Sequence, residues 1–376
     1  MTLLDDDVME LLLSASIHLM GLHLDSQAME GVTESYTGVF GDFCELNFAA
    51  QKQDPTAVPM FRHLGQNSPA CAEKRYRVNI HDFVQLARKH DTRKDSAVKA
   101  LPLSGAIFHE SRCGSTLISN ALQAMSPEQH RVYSEAQPEM AANLCGNTFQ
   151  YCSMEQAAEL LRDVIYLMSR TNDTLEQRAF FKFHSDNARL IEVFQHAFPT
   201  TPWLFVFRDP VHVIVSQFKE GKSIAKCGRG VKDPSTQVLN IIQSKGYTPS
   251  TMSKELFCAA TLASYCESAL KAKERAPKLG TFVHYPDLPD VMLDDIFPNK
   301  FGLTITEEQR QRIQSISSMY SKASHGRARP YHDDSNEKEL KATDAIRQAA
   351  TLFLENSYRR LLGDKMAMTG GIASEL

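Results

Sequence analysis

The chain has 376 residues, 43% of them hydrophobic and 23% charged. That balance excludes a collagen-like, a disordered acidic or a small stapled chain and leaves room for one large domain with an annex. Its 41 Lys and Arg against 45 Asp and Glu give a net charge of −4, too even to hold nucleic acid or a membrane by bulk charge, so any bound anion must meet a local pocket.

The opening, MTLLDDDVMELLL, places aspartates where a secretory leader needs positive charge. No run reaches the ~18 apolar residues of a membrane span. Eight cysteines include no C-x-x-C pair, so neither a zinc site nor a redox dithiol is signalled. Together these predict a soluble, cytoplasmic protein with reduced thiols, in which the sequon Asn172-Asp173-Thr174 is a chance match.

Residues 7–23 repeat apolar positions at helical spacing, and a stretch punctuated by Gly, Pro and Asn follows to about residue 75. A second helix is expected over 79–89, where Ile80, Phe83, Val84 and Ala87 share a face, before the charged linker HDTRKDSAVKA. Residues 1–100 thus read as a mostly helical N-terminal annex. Beyond them stand five short apolar runs, SGAIFH, RVYSE, RAFFKFH, WLFVFRD and GTFVHY, each the pattern of a buried strand. Helical periodicity over 153–170, 186–198 and 254–273 separates them. Strand alternating with helix predicts a three-layer α/β/α domain over 101–365 around a central parallel sheet of about five strands, with a flexible tail at 366–376.

The most informative segment is Ser104 to Leu122, where an apolar strand meets a tight turn at Gly114 and Ser115-Thr116 open an amphipathic helix. The first N–H groups of a helix lack intrahelical partners and carry the positive end of its dipole, so this is a phosphate cradle like a P-loop. A nucleoside-triphosphate loop would carry Lys after its last glycine; here that position is Ser115. The charge stands instead at Arg112, whose guanidinium can fork a phosphate. Cys113 reads as a small loop filler.

A second basic site follows in TPWLFVFRDPVHVIVSQF, residues 201–218. Asp209-Pro210 is a helix start. Arg208, at the carboxyl end of a buried strand, faces the crevice where open α/β sheets bind ligands, and Ser216 lies two helical turns further on.

SRCGSTL, followed about ninety residues later by FVFRDPVHVIVSQF, resembles the paired signatures of the sulfotransferase family that uses 3′-phosphoadenosine 5′-phosphosulfate (PAPS). The resemblance covers about residues 101–363 and takes in YPDL at 285–288, similar to that family's Y-E-D-L segment. It implies that Arg112, Cys113, Gly114, Ser115 and Thr116 bind the 5′-phosphosulfate, and that Arg208 and Ser216 bind the 3′-phosphate. Two departures stand out: Cys113 replaces the usual Ser, and Leu117 stands where a Trp often stacks on adenine. The late R-K-G-x-x-G-D-W segment is not visible; in its place runs SKASHGRARPYHDDSNEK, where Arg327, or else Lys322 or Arg329, is the candidate to complete the 3′-phosphate pocket. His332-Asp333-Asp334 there reads as loop rather than a metal-ligand set.

The resemblance further implies sulfuryl transfer to a hydroxyl of a small molecule or carbohydrate, releasing adenosine 3′,5′-bisphosphate (PAP), with fixed cations and N–H dipoles stabilising the leaving oxygen and no metal required. Arg112 would act there, and Lys182 on the sulfuryl group or merely at the sheet edge. Two candidates stand for the base that deprotonates the hydroxyl: His184, in a K-x-H segment, and Glu135, in VYSEAQPEM. The Gly- and Lys-rich residues 219–253 are a candidate acceptor lid. A P-loop nucleotide kinase or phosphotransferase, and a non-catalytic nucleotide-binding protein, are the alternatives. No residue pattern signals an oligomeric state.

Overall fold

The structure is a computed structural model that describes residues 5–25, 36, 38–138, 153–218, 227, 230–319, 330 and 332–369. In the annex, helix α1 (Asp6–Leu13) ends far short of the helix expected over 7–23. The chain turns at Ser14 and Ala15, where Ala15 takes φ 54°, and continues as strand β1 (His18–Leu24). That strand pairs antiparallel with β2 (Val39–Cys44), which pairs with β3 (Tyr76–Asn79). The annex therefore holds a three-stranded antiparallel sheet beside its helices. Helix α2 (Ile80–Asp91) follows as expected, its first turn capped by the Asn79 side chain and its apolar face formed by Ile80, Phe83, Val84 and Ala87.

The five apolar runs are the five strands of a second sheet: β4 (Leu103–His109), β5 (His130–Ser134), β6 (Arg178–Lys182), β7 (Trp203–Phe207) and β8 (Gly280–His284). All pair in parallel, in the order β8-β7-β4-β6-β5. Both faces are covered, which is why the runs are continuously apolar. Ile107, Val132, Phe180, Leu204 and Val206 pack on one face with Ile118, Leu122 and Phe297. Phe108, Tyr133, Phe181, Phe183 and Phe205 pack on the other with Leu161, Phe194 and Cys266. The domain is the three-layer α/β/α architecture that the strand–helix alternation predicts.

The helices that carry these faces begin at recognisable caps. Helix α3 (Ser115–Met125) starts at Gly114, which takes φ 87°. Helix α4 (Met154–Ser169) starts at a reciprocal Ser153–Gln156 capping box. A 3-10 turn over Ser185–Leu190 leads into α5 (Ile191–Ala197). Helix α6 (Pro210–Gln217) is capped by Asp209, and α7 (Thr236–Ser244) and α8 (Lys254–Arg275) by Ser235 and Ser253. After β8 come α9 (Glu307–Ser317), α10 (Ser335–Lys341), α11 (Asp344–Phe353) and α12 (Glu355–Thr369). Helix α12 passes Gly363 and reaches beyond residue 366, where a tail was expected.

Annex and sheet domain share one apolar core, with Val8, Leu12, Phe43 and Phe83 in the same cluster as Tyr133, Leu161 and Phe181. Buried Arg170 fastens the two, donating to the carbonyls of Leu12 and Leu13 and to the carboxylate of Asp91. The expectation of reduced thiols is corrected: Cys44 is bonded to Cys71 and Cys227 to Cys258. The partners lie 27 and 31 residues apart and meet only through folding, which spacing in the sequence cannot show. Cys113 and Cys266 are buried thiols.

Candidate functional site

Strand β4 is the point where chain order reverses, since β5 and β6 lie to one side of it and β7 and β8 to the other. In an open parallel sheet, ligands bind in the crevice outside the carboxyl ends of the strands at such a point. The loop after β4 carries Arg112 and Gly114, and the loop after the adjacent β7 carries Arg208. Both loops line one cavity of about 350 Å³, together with Ser115, Thr116, Leu117, Tyr285, Asp334 and Lys338.

The first loop is held by backbone the sequence rarely adopts, with Ser111 and Arg112 at φ 77° and 59° before Gly114 at 87°. A Cβ on Gly114 would come within 2.9 Å of both Tyr285 and Leu288, so the position accepts only glycine for reasons of both conformation and space. Cys113 is fully buried and donates its thiol to the Val206 carbonyl at 3.0 Å, fixing the loop to β7. Ser115 and Thr116 are buried at the first turn of α3, and Thr116 Oγ1 has no hydrogen-bond partner among the described residues.

The second loop is tied to the first from below. Glu110, at the root of the first loop, is buried and accepts the backbone N–H of Arg208 at 2.5 Å. Burial pushes its carboxyl up to about 8, with Asp209 adding to the rise and the Arg208 N–H, Cys266 and the Arg208 charge opposing it. The Arg208 side chain is 4% exposed. Its guanidinium carbon lies 3.9 Å from the centroid of the Tyr285 ring, and Nη2 donates to Ser335 Oγ at 2.7 Å and to Asp334 Oδ1 at 3.1 Å. Its Nε, although buried, has no partner among the described residues. Ser216 lies on α6 outside the lining of the cavity, and its buried Oγ likewise lacks a partner. Arg327, Lys322 and Arg329 lie outside the described residues, as does most of 219–229 in the expected lid.

The three candidates for proton and sulfuryl chemistry stand on the β5–β6 side of the switch point, and none lines the cavity that Arg112 and Arg208 share. Lys182 is fully buried and holds Glu135 Oε1 at 2.5 Å; His109 Nε2 is 3.6 Å from the same oxygen and 3.1 Å from the Phe183 carbonyl. His109 Nδ1 accepts the Ser111 N–H at 2.9 Å, so this cluster braces the root of the loop after β4. His184 lines a separate cavity of about 380 Å³ with Asp186, Arg189, Ser235 and Tyr265. Its Nδ1 is 3.6 Å from Asp186, which accepts the Tyr265 hydroxyl at 2.5 Å.

Sequence reasoning missed Glu110, Lys338 and the part played by Asp333 and Asp334. The carboxylates looked like loop polarity or metal ligands; in the fold they face Arg208, at 3.7 and 3.1 Å. Tyr285 was visible only as part of YPDL.

No protein-family model and no curated protein matches the chain. Among solved structures it is similar to the sulfotransferase STF9 from Mycobacterium avium, at 12% identity and a TM-score of 0.45, over 74% of this chain and 81% of that one. It is also similar to the sulfotransferase domain from the curacin biosynthetic pathway, at 13% identity and 0.35, over 67% and 98%. A third is sulfotransferase STF1 from Mycobacterium tuberculosis H37Rv, at 13% and 0.35, over 68% and 77%.

Proposed function

We propose that the chain is a PAPS-dependent sulfotransferase acting on a hydroxyl of a small molecule or carbohydrate. The observation that carries this reading is that the Arg112–Thr116 loop and Arg208 line one cavity of nucleotide size. The residues fit an anionic ligand: Thr116 Oγ1 and Arg208 Nε, both on residues that line the cavity, are buried polar atoms without partners among the described residues, an arrangement that costs stability unless a ligand satisfies them. Arg112, the α3 N-terminus and Arg208 would hold the nucleotide, which supplies an activated sulfuryl group when bound; Ser216, outside the cavity lining, would have to be reached from it. Arg112 and the α3 N–H groups oppose the charge that builds on the leaving phosphate. His184 is the proposed base, because it lines a cavity able to admit an acceptor and has Asp186 beside it to orient the ring. Glu135 is the alternative, although its 2.5 Å contact with Lys182 Nζ gives it the part of a brace.

The separation of all three candidates from the anion cavity favours a second reading, a nucleotide-binding protein without transferase activity. The test is PAP binding by calorimetry together with PAPS turnover over a panel of hydroxyl acceptors. Arg208→Ala should weaken PAP binding at least about thirtyfold, the cost of truncating a buried charged contact. His184→Asn should retain PAP and lose turnover about a hundredfold or more. PAP binding with no turnover on any acceptor selects the second reading, and wild-type affinity in Arg208→Ala sinks both. The two disulfides favour an oxidising compartment for the protein over the expected cytoplasm.

A further inference from the structure

We propose that Lys338 is a third phosphate-binding cation of the anion cavity and that Asp334 is a carboxylate placeholder which a bound phosphate displaces. The inference rests on the nucleotide reading above and concerns how that site is kept before ligand arrives. Helix α10 brings Lys338 one turn past Asp334, so that Nζ lies 2.7 Å from Asp334 Oδ1. The same oxygen is 3.1 Å from Arg208 Nη2. One carboxylate oxygen thus faces two cations that line the same cavity as Arg112 and the first turn of α3. Asp333 stands further out, 3.7 Å from Arg208 and occupied as acceptor for Ser335.

Burial distinguishes the partners. The side chains of Lys338 and Arg208 are 9% and 4% exposed, whereas that of Asp334 is 45% exposed. A surface Lys–Asp pair one helical turn apart is ordinarily solvated at both ends; here the cations are sunk in the cavity wall and only the anion reaches water. Buried cations crowded together are costly unless an anion neutralises them. Asp334 supplies part of that charge, and burial then acts with Arg208 and Arg112 to bring Lys338 down to about 8 against the pull of Asp334. Asp334 in turn is held below the ordinary carboxylate range, because Lys338 and Arg208 outweigh the effect of its partial burial.

The placeholder leaves the site incompletely satisfied. Arg208 Nε remains without a partner among the described residues, and a single carboxylate oxygen on Nη2 does not use the guanidinium fork, whereas a phosphate presents oxygens enough for the fork and the ammonium at once. Release of Asp334 costs no helix cap, since its side chain caps no N–H at the start of α10, and the arriving phosphate replaces it on Lys338 and Arg208.

The test is calorimetric titration of PAP into the full-length wild type and three variants, with thermal melts to verify folding. Lys338→Met should weaken binding at least tenfold, and Lys338→Arg should stay within about threefold of wild type. Asp334→Asn should bind three- to tenfold more tightly than wild type, because it removes the competing charge while keeping the shape. Unchanged affinity in Lys338→Met, or weaker binding in Asp334→Asn, overturns the proposal; the latter would make Asp334 a positioning contact for Arg208. A wild type that binds no PAP overturns the nucleotide reading itself, an outcome separate from either.

Discussion

The Arg208 guanidinium lies 3.9 Å over the Tyr285 ring, and a Cβ on Gly114, in the loop after β4, would meet an edge carbon of the same ring at 2.9 Å. One aromatic side chain therefore adjoins both loops. A cation over an aromatic face gains about 0.5–2 kcal/mol, and the contact also limits where the guanidinium can point. Tyr285→Leu keeps apolar bulk against Gly114 and removes the π face. PAP affinity should fall about three- to thirtyfold with little change in melting temperature, measured by calorimetry and thermal melts.

Gly114→Ala should be damaging in two ways. The left-handed backbone costs a side-chain-bearing residue about 1–2 kcal/mol, and the added methyl would press on Tyr285 and Leu288. Gly302 supplies the control, since it has φ 62° with nothing within 4 Å of a Cβ. Gly302→Ala should lower the melting temperature by a few degrees through strain alone, while Gly114→Ala should lower it further and lose PAP binding.

Glu110 predicts a pH dependence of stability. Its folded value of about 8 exceeds its ordinary 4.5, so the folded chain holds a proton that the unfolded chain releases. The stabilisation is complete below about 4.5 and is lost as pH rises through 8, at most about 1.4 kcal/mol per unit within that window. Arg208, Asp209, Cys266 and Tyr358 are the neighbouring groups that sense it. Glu110→Gln, which still accepts the Arg208 N–H, should flatten the decline between pH 5 and 8.5 in chemical denaturation; an equally steep decline in the variant would show that Glu110 is not its source.

Closing loops of this length typically contributes about 2–4 kcal/mol per disulfide. Peptide mapping without reductant should recover Cys44 joined to Cys71 and Cys227 joined to Cys258, and dithiothreitol should lower the melting temperature. Mapping that recovers all four as thiols would remove both crosslinks.

The five strands of the large sheet were legible because each is buried on both faces, which leaves an uninterrupted apolar run such as WLFVF. The meeting of the two loops at one cavity was legible because a helix N-terminus and a strand-end arginine are local features. The annex sheet was not, since HLMGLHL satisfies helical spacing as well as it does a half-exposed strand, and the turn at Ala15 has no glycine to announce it. Lys338 and Asp334 were hidden for a different reason. In a charged segment each reads as solvated, and only the packing of α10 beside α6 sinks the lysine and brings its carboxylate partner to Arg208, 126 residues away.

Arg170 sends its N–H groups across the seam to Leu12, Leu13 and Asp91. Trimming the gene to start at residue 101 would orphan that cation inside an oily wall and strip the shared hydrophobic interior of one side. Anyone preparing a minimal version for crystallography should expect insoluble material, and would do better to shorten the chain elsewhere.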